Sequence, residues 1–85
     1  MKYSYEISVL TENSLRVLQR MAGIFSRQRV NIEQLTVFET NQKGTSYFKI
    51  IIYCDDKTIE RVIHQLQRIV ELLEIYYRRN MLCLR

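Results

Sequence analysis

The chain has no proline and no tryptophan, and Gly23 and Gly44 are its only glycines among 85 residues. With no Pro- or Gly-rich stretch, no linker is visible and one domain is expected. Histidine occurs once, as His64, and cysteine twice, as Cys54 and Cys83. One imidazole and two distant thiols argue against a zinc site. Without a C-x-x-C pair, the thiols read as reduced residues of a cytoplasmic protein. No apolar run approaches the ~18 residues of a membrane span, and Met1 to Glu6 lack the apolar segment of a secretory signal. Patterns of the G-x-S-x-G, P-loop and G-x-G-x-x-G types are also missing. Asp55 and Asp56 are adjacent carboxylates, but helix capping accounts for both. No catalytic residue, metal site or cofactor is therefore expected.

The composition is otherwise that of a folded soluble domain, 47% apolar and 26% charged. A chain of this length builds one modest core and often gains stability by sharing surface with a second copy, so a homodimer is expected. The formal net charge of +4 suits nucleic acid or an acidic partner. Much of it sits in the pairs Arg27/Arg29 and Arg78/Arg79. The first pair falls at an expected helix end, where the dipole favours cations.

Hydrophobic periodicity sets the element order. Residues 3–11 alternate, with Tyr5, Ile7 and Val9 on one side, and predict a half-buried strand. Asn13 and Ser14 offer a cap for a helix over 14–28, its apolar stripe Leu15, Leu18, Ala22 and Phe25 beside Met21. Gly23 inside it costs about 1 kcal/mol relative to alanine, and close packing on the sheet would explain it. Residues 30–40 predict a second strand, with Leu35 and Val37 inward and Gln34, Thr36 and Phe38 opposite. A turn at 41–44 uses Gly44. Residues 45–54 predict a strand with Phe48, Ile50, Ile52 and Cys54 on one face. A second helix buries Ile59, Val62, Ile63, Leu66 and either Ile69 or Val70, with His64 in solvent. Leu73, Ile75 and Tyr77 alternate as a fourth strand. The resulting βαββαβ order predicts an α+β, ferredoxin-like fold: a four-stranded antiparallel sheet with two helices on one face. The other face carries Phe38, Tyr47, Ile51, Tyr53 and Leu10, too apolar for bare solvent, which marks an interface or a binding surface.

RNA-recognition modules share this order and place aromatics on the first and third strands. Here Ser8 and Thr45 stand where stacking rings are needed, so a nucleic-acid partner is not expected.

Two blocks are more specific: "SVLTEN" at 8–13 and "GIFSRQRVNIEQLTV" at 23–37. Together they resemble the N-terminal ACT domain of acetolactate synthase small regulatory subunits, and the likeness covers nearly the whole chain. The resemblance implies an ACT domain over 1–78. Residues 79–85 resemble the start of a second domain. It also implies a non-catalytic regulatory subunit that activates the large catalytic subunit, the partner that would hold thiamine diphosphate, magnesium and FAD. ACT domains of this kind pair side by side, and a branched-chain amino acid, usually valine, binds where the loop after the first strand meets the partner's second strand. Carried over, the effector-binding positions are Asn13, Arg16, Asn31 and Ile32. The family has glycines where this chain has Arg16 and Arg29. Those departures predict a subunit that binds its catalytic partner and responds weakly or not at all to valine. A free-standing ACT-type amino acid sensor for another enzyme is the alternative.

Overall fold

The computed structural model describes residues 1–12 and 14–80. Its elements follow the expected order: β1 (Lys2–Glu12), α1 (Ser14–Arg27), β2 (Asn31–Glu39), β3 (Thr45–Asp55), α2 (Asp56–Leu66) and β4 (Leu72–Arg79). The strands form one antiparallel sheet in the order β2-β3-β1-β4. That order makes β2 and β4 the edge strands, and both helices lie on one face of the sheet. Asn80 continues the β4 edge by donating its N–H to the Ser4 carbonyl at 2.8 Å.

The core lies between the helices and the two central strands. Ile7 and Val9 of β1 and Phe48, Ile50 and Ile52 of β3 are fully buried beneath Val17, Met21, Ile59, Val62 and Leu66. These β3 residues, with Cys54, are the alternate positions expected to face inward. Burial pushes the Cys54 thiol up to about 11, so it is an inert core residue.

The first helix is rotated from the expected setting. Its buried stripe is Val17, Met21, Ile24 and Phe25, while Leu15 is 70% exposed and Leu18 and Ala22 face solvent as well. Apolar residues surround much of α1, so periodicity admits two stripes, and the packed core selects the one that includes β-branched Val17 and Ile24. Gly23 is not a close-packing glycine either: an added Cβ would meet nothing within 4 Å.

The ends of α1 and α2 follow from capping chemistry. After α1, Val30 N–H bonds to Phe25 C=O at 3.0 Å and Arg29 N–H to Ser26 C=O at 3.1 Å. This is the Schellman arrangement, which needs a left-handed residue at its penultimate position. Arg29 supplies it, with φ of 55°. Asp55 caps α2 by accepting the Thr58 N–H at 2.7 Å. Bonding by Thr58, through its side chain first and its backbone second, holds the Asp55 carboxyl below its ordinary value. Asp56 follows in the first turn, where negative charge suits the dipole. Gly44 turns the β2–β3 hairpin with φ of 88°.

On β4 the inward residues are Leu72 and Ile75, which pack against the core, whereas Leu73 is exposed. A register shift at Leu10/Thr11 displaces Leu73 from the expected alternation. Beyond α2, Ile69 is buried and Val70 exposed.

Candidate effector site and interfaces

The three described residues among the four singled out from the sequence fall at two ends of the sheet. Asn13 lies outside the described residues. Arg16 stands in the first turn of α1, exposed, with its Nε 3.3 Å from Glu71 Oε2. Glu71 also offers its backbone C=O to Glu12 N–H at 2.9 Å. Arg16 is thus tied to the segment that enters β4. Asn31 begins β2 opposite Tyr53, and its Nδ2 donates to Glu33 Oε2 at 2.7 Å. Ile32, opposite Ile52, is 40% exposed on the helix side of the sheet.

Register gives the separation of the two groups. Tyr53 lies across from Ser4, and Thr45 from Glu12. Eight residues at ~3.4 Å each put the Asn31 end of the sheet about 27 Å from the end where α1 begins. One chain does not bring Arg16 and Asn31 together. A second chain running antiparallel along the same edge would place one group against the other.

Residues that the periodicity did not single out complete both ends. Thr11 is fully buried at the end of β1, and its Oγ1 has no hydrogen-bond partner among the described residues. A buried orphan hydroxyl is uncommon and costs desolvation. It points to the helix side beside the start of α1, continuing the face of Ile7 and Val9. Its signal in the sequence was a hydroxyl where the alternation calls for an apolar side chain. At the other end the register shifts between Ile32 and Gln34. The extra residue, Glu33, lets both Ile32 and Leu35 face the helix side although they are three apart.

The β2 edge is the least covered part of the fold. Every residue from Asn31 to Glu39 is exposed. Leu35 and Val37 do face the helix side, opposite Ile50 and Phe48, but they are 43% and 41% exposed because no helix covers them. Leu18 and Ala22 of α1 border a small apolar hollow with Met21, Phe25, Ile32 and Leu35. With Leu15 nearby on α1, this makes an apolar strip beside the open edge of β2, a surface that stays uncovered at some cost.

The open face of the sheet is a second apolar surface. Phe38 and Tyr47 are neighbours with ring centroids 5.0 Å apart. Tyr47 pairs with Leu10, and Ile51 with Glu6. Tyr76, which the sequence reading passed over, lies 66% exposed beside Ser8, its hydroxyl donating to Glu74 at 2.8 Å. Glu6 faces Arg78 at 3.7 Å. Ser8 sits between Lys49 and Tyr76, so the centre of this face lacks a stacking ring.

Among the described residues no cluster of three or more His, Cys, Asp or Glu could hold a metal, and no helix is long and apolar enough to cross a membrane.

Comparison with known proteins agrees with this geometry. The chain is 42% identical over 71 residues to a probable acetolactate synthase small subunit of Archaeoglobus fulgidus, covering 84% of this chain and 45% of that protein. It is 39% identical over 69 residues to the acetolactate synthase small subunit of Aquifex aeolicus, covering 81% of this chain and 36% of that one. The crystal structure of the acetolactate synthase small subunit from Thermotoga maritima superposes with a TM-score of 0.75 at 32% identity, over 87% of this chain and 46% of that chain. The chain thus spans less than half the length of these relatives. An uncharacterised Thermotoga maritima protein, TM-score 0.76 at 11% identity, shares the fold over 93% of this chain and 98% of its own. The profile described as the AHAS small subunit-like ACT domain matches residues 7–74, and the chain belongs to that family.

Proposed function

We propose that this chain is a non-catalytic regulatory subunit of acetolactate synthase that binds and activates the large catalytic subunit. The observation that carries this reading is the family match over residues 7–74, joined to a fold that leaves two surfaces uncovered. The β2 edge with the outer flank of α1 pairs with a second copy. The open sheet face, with Phe38, Tyr47 and Tyr76, docks on the catalytic subunit. By holding one conformation of that partner, the dimer raises its activity.

Side-by-side pairing also explains the split site. With Asn31 at one end of the edge and the start of α1 at the other, an effector pocket exists only across two chains. Its polar end would comprise Asn13 and Asn31, and its apolar wall Ile32. Arg16 replaces the family's glycine at the start of α1 with a long side chain, tied by Glu71 to the segment that enters β4, and so removes the close backbone approach a glycine gives. Branched-chain amino acid feedback is accordingly weak or lost.

Two measurements test the proposal. Sedimentation of the chain mixed with the large subunit should show a complex, and Tyr76→Glu or Phe38→Glu should weaken it. Co-sedimentation with an unrelated enzyme instead would favour a free-standing sensor. Calorimetry with valine should give no micromolar binding; micromolar affinity abolished by Asn31→Ala would overturn the weak-feedback reading.

A further inference from the structure

The helix layer carries a feature that neither uncovered surface explains. A cleft of about 540 Å³ runs along the seam of α1 and α2, lined by Gln19, Arg20, Gly23, Arg27, Gln65 and Arg68. No carboxylate lines it. Arg20, Gly23 and Arg27 recur at three- and four-residue spacing, so they share one face of α1. The two arginines stand about 10 Å apart along the helix, one turn on either side of the glycine. Arg68, two residues past the end of α2, lines the cleft opposite α1.

Among the described residues these three guanidiniums make no ion pair, although the same fold pairs Arg16 with Glu71 and Arg78 with Glu6. Gathering unpaired cations around one cleft is unfavourable in a chain that already carries +4. Gly23 adds a second cost, because glycine weakens a helix interior, and open space beside it leaves packing with no reason to require it. What its missing side chain does is keep the floor of the cleft clear between Arg20 and Arg27. An adjoining hollow shares Gln65 and adds Lys57 and Arg61 against a single carboxylate, Glu60, extending the positive field.

We propose that this cleft binds a small molecule through a diphosphate group. Guanidinium forks match phosphate oxygens in pairs, and Gln19 and Gln65 add neutral donors. The cleft falls within the ~300–1,000 Å³ of small-molecule sites. A protein partner fits it less well, because the centre of a protein interface is depleted in charge. The site lies on the helix layer, so it does not depend on the proposed catalytic partner.

Calorimetry of the full chain at low salt tests it, with inorganic pyrophosphate, ADP and citrate as probes. Pyrophosphate should bind, and Arg27→Gln with Arg68→Gln should weaken it at least about tenfold through loss of charge-assisted bonds. Gly23→Leu, which keeps every charge and fills the floor, should weaken it as well. A circular dichroism melt verifies that each variant folds. ADP binding more tightly than pyrophosphate assigns the diphosphate to a nucleotide, and equal affinity assigns it to the free anion. No pyrophosphate binding, citrate binding as tightly as pyrophosphate, or unchanged affinity in the arginine pair and in Gly23→Leu would each overturn the proposal.

Discussion

Replacing Leu35 with lysine strikes the centre of the proposed pairing edge. Leu35 faces the helix side of β2 and remains 43% exposed in the single chain. Burying a whole leucine contributes about 1.5–3 kcal/mol, so covering the exposed part contributes about 1 kcal/mol per chain and about 2 kcal/mol per dimer. At 1.4 kcal/mol per decade, losing that alone weakens the dimer about 30-fold. Lysine does more, since two ammonium groups must then be desolvated in one interface, at several kcal/mol each when unpaired. A dimer weakened by about a thousandfold or more is therefore expected, measured by sedimentation velocity across a concentration series. The isolated fold should survive, because the lysine head can reach water from an edge position. Tyr76→Lys, on the open face, is the control and should leave the dimer intact. If Leu35→Lys remains as dimeric as the parent chain, or if Tyr76→Lys dissociates it instead, the assignment of the β2 edge is wrong.

Other consequences are equally direct. Arg29→Gly should raise stability by about 1 kcal/mol, since a left-handed backbone costs a side chain about that much, seen as a melting temperature several degrees higher. Asp55→Ala should lower the melting temperature by a few degrees through loss of the α2 cap. Because the folded carboxyl titrates below its ordinary value, its contribution is present above the unfolded value and lost as pH falls through the folded one. Asp55→Asn should keep most of the cap and remove that acid dependence, which melts across an acid pH series would show. In a Cys83→Ser background, Cys54 should react with a thiol reagent only as fast as the chain unfolds. With its thiol raised to about 11, the part of stability linked to it is complete below the unfolded value and is lost as pH rises towards 11.

The sheet was legible because its strands alternate cleanly. Phe48, Ile50, Ile52 and Cys54 could face only one way, and their burial follows. Capping at Asp55 and the hairpin at Gly44 were local chemistry and equally readable. The setting of α1 was not. Leu15 and Leu18 make as good an apolar stripe as Val17 and Ile24, and only the packed sheet chooses between them. The leucines left outside are the ones bordering the open edge. Inward-facing Leu35 and Val37 were placed on the correct side, but their exposure depends on helix coverage, which alternation does not encode. The Glu33 bulge and the displaced Leu73 depend on pairing partners far away in sequence. Arg29, met first as a departure from a family glycine, is explained by the Schellman geometry after α1. The effector positions came from the motif blocks alone, and register adds that one chain cannot assemble them.

The central claim is that this chain activates a catalytic partner without catalysing anything itself. The most direct test mixes it with the large subunit and measures acetolactate formation, with and without valine. The account predicts faster turnover than the large subunit alone, little change on adding valine, and loss of the gain with Tyr76→Glu. Turnover identical with and without the chain, under conditions where the large subunit is active, would contradict it.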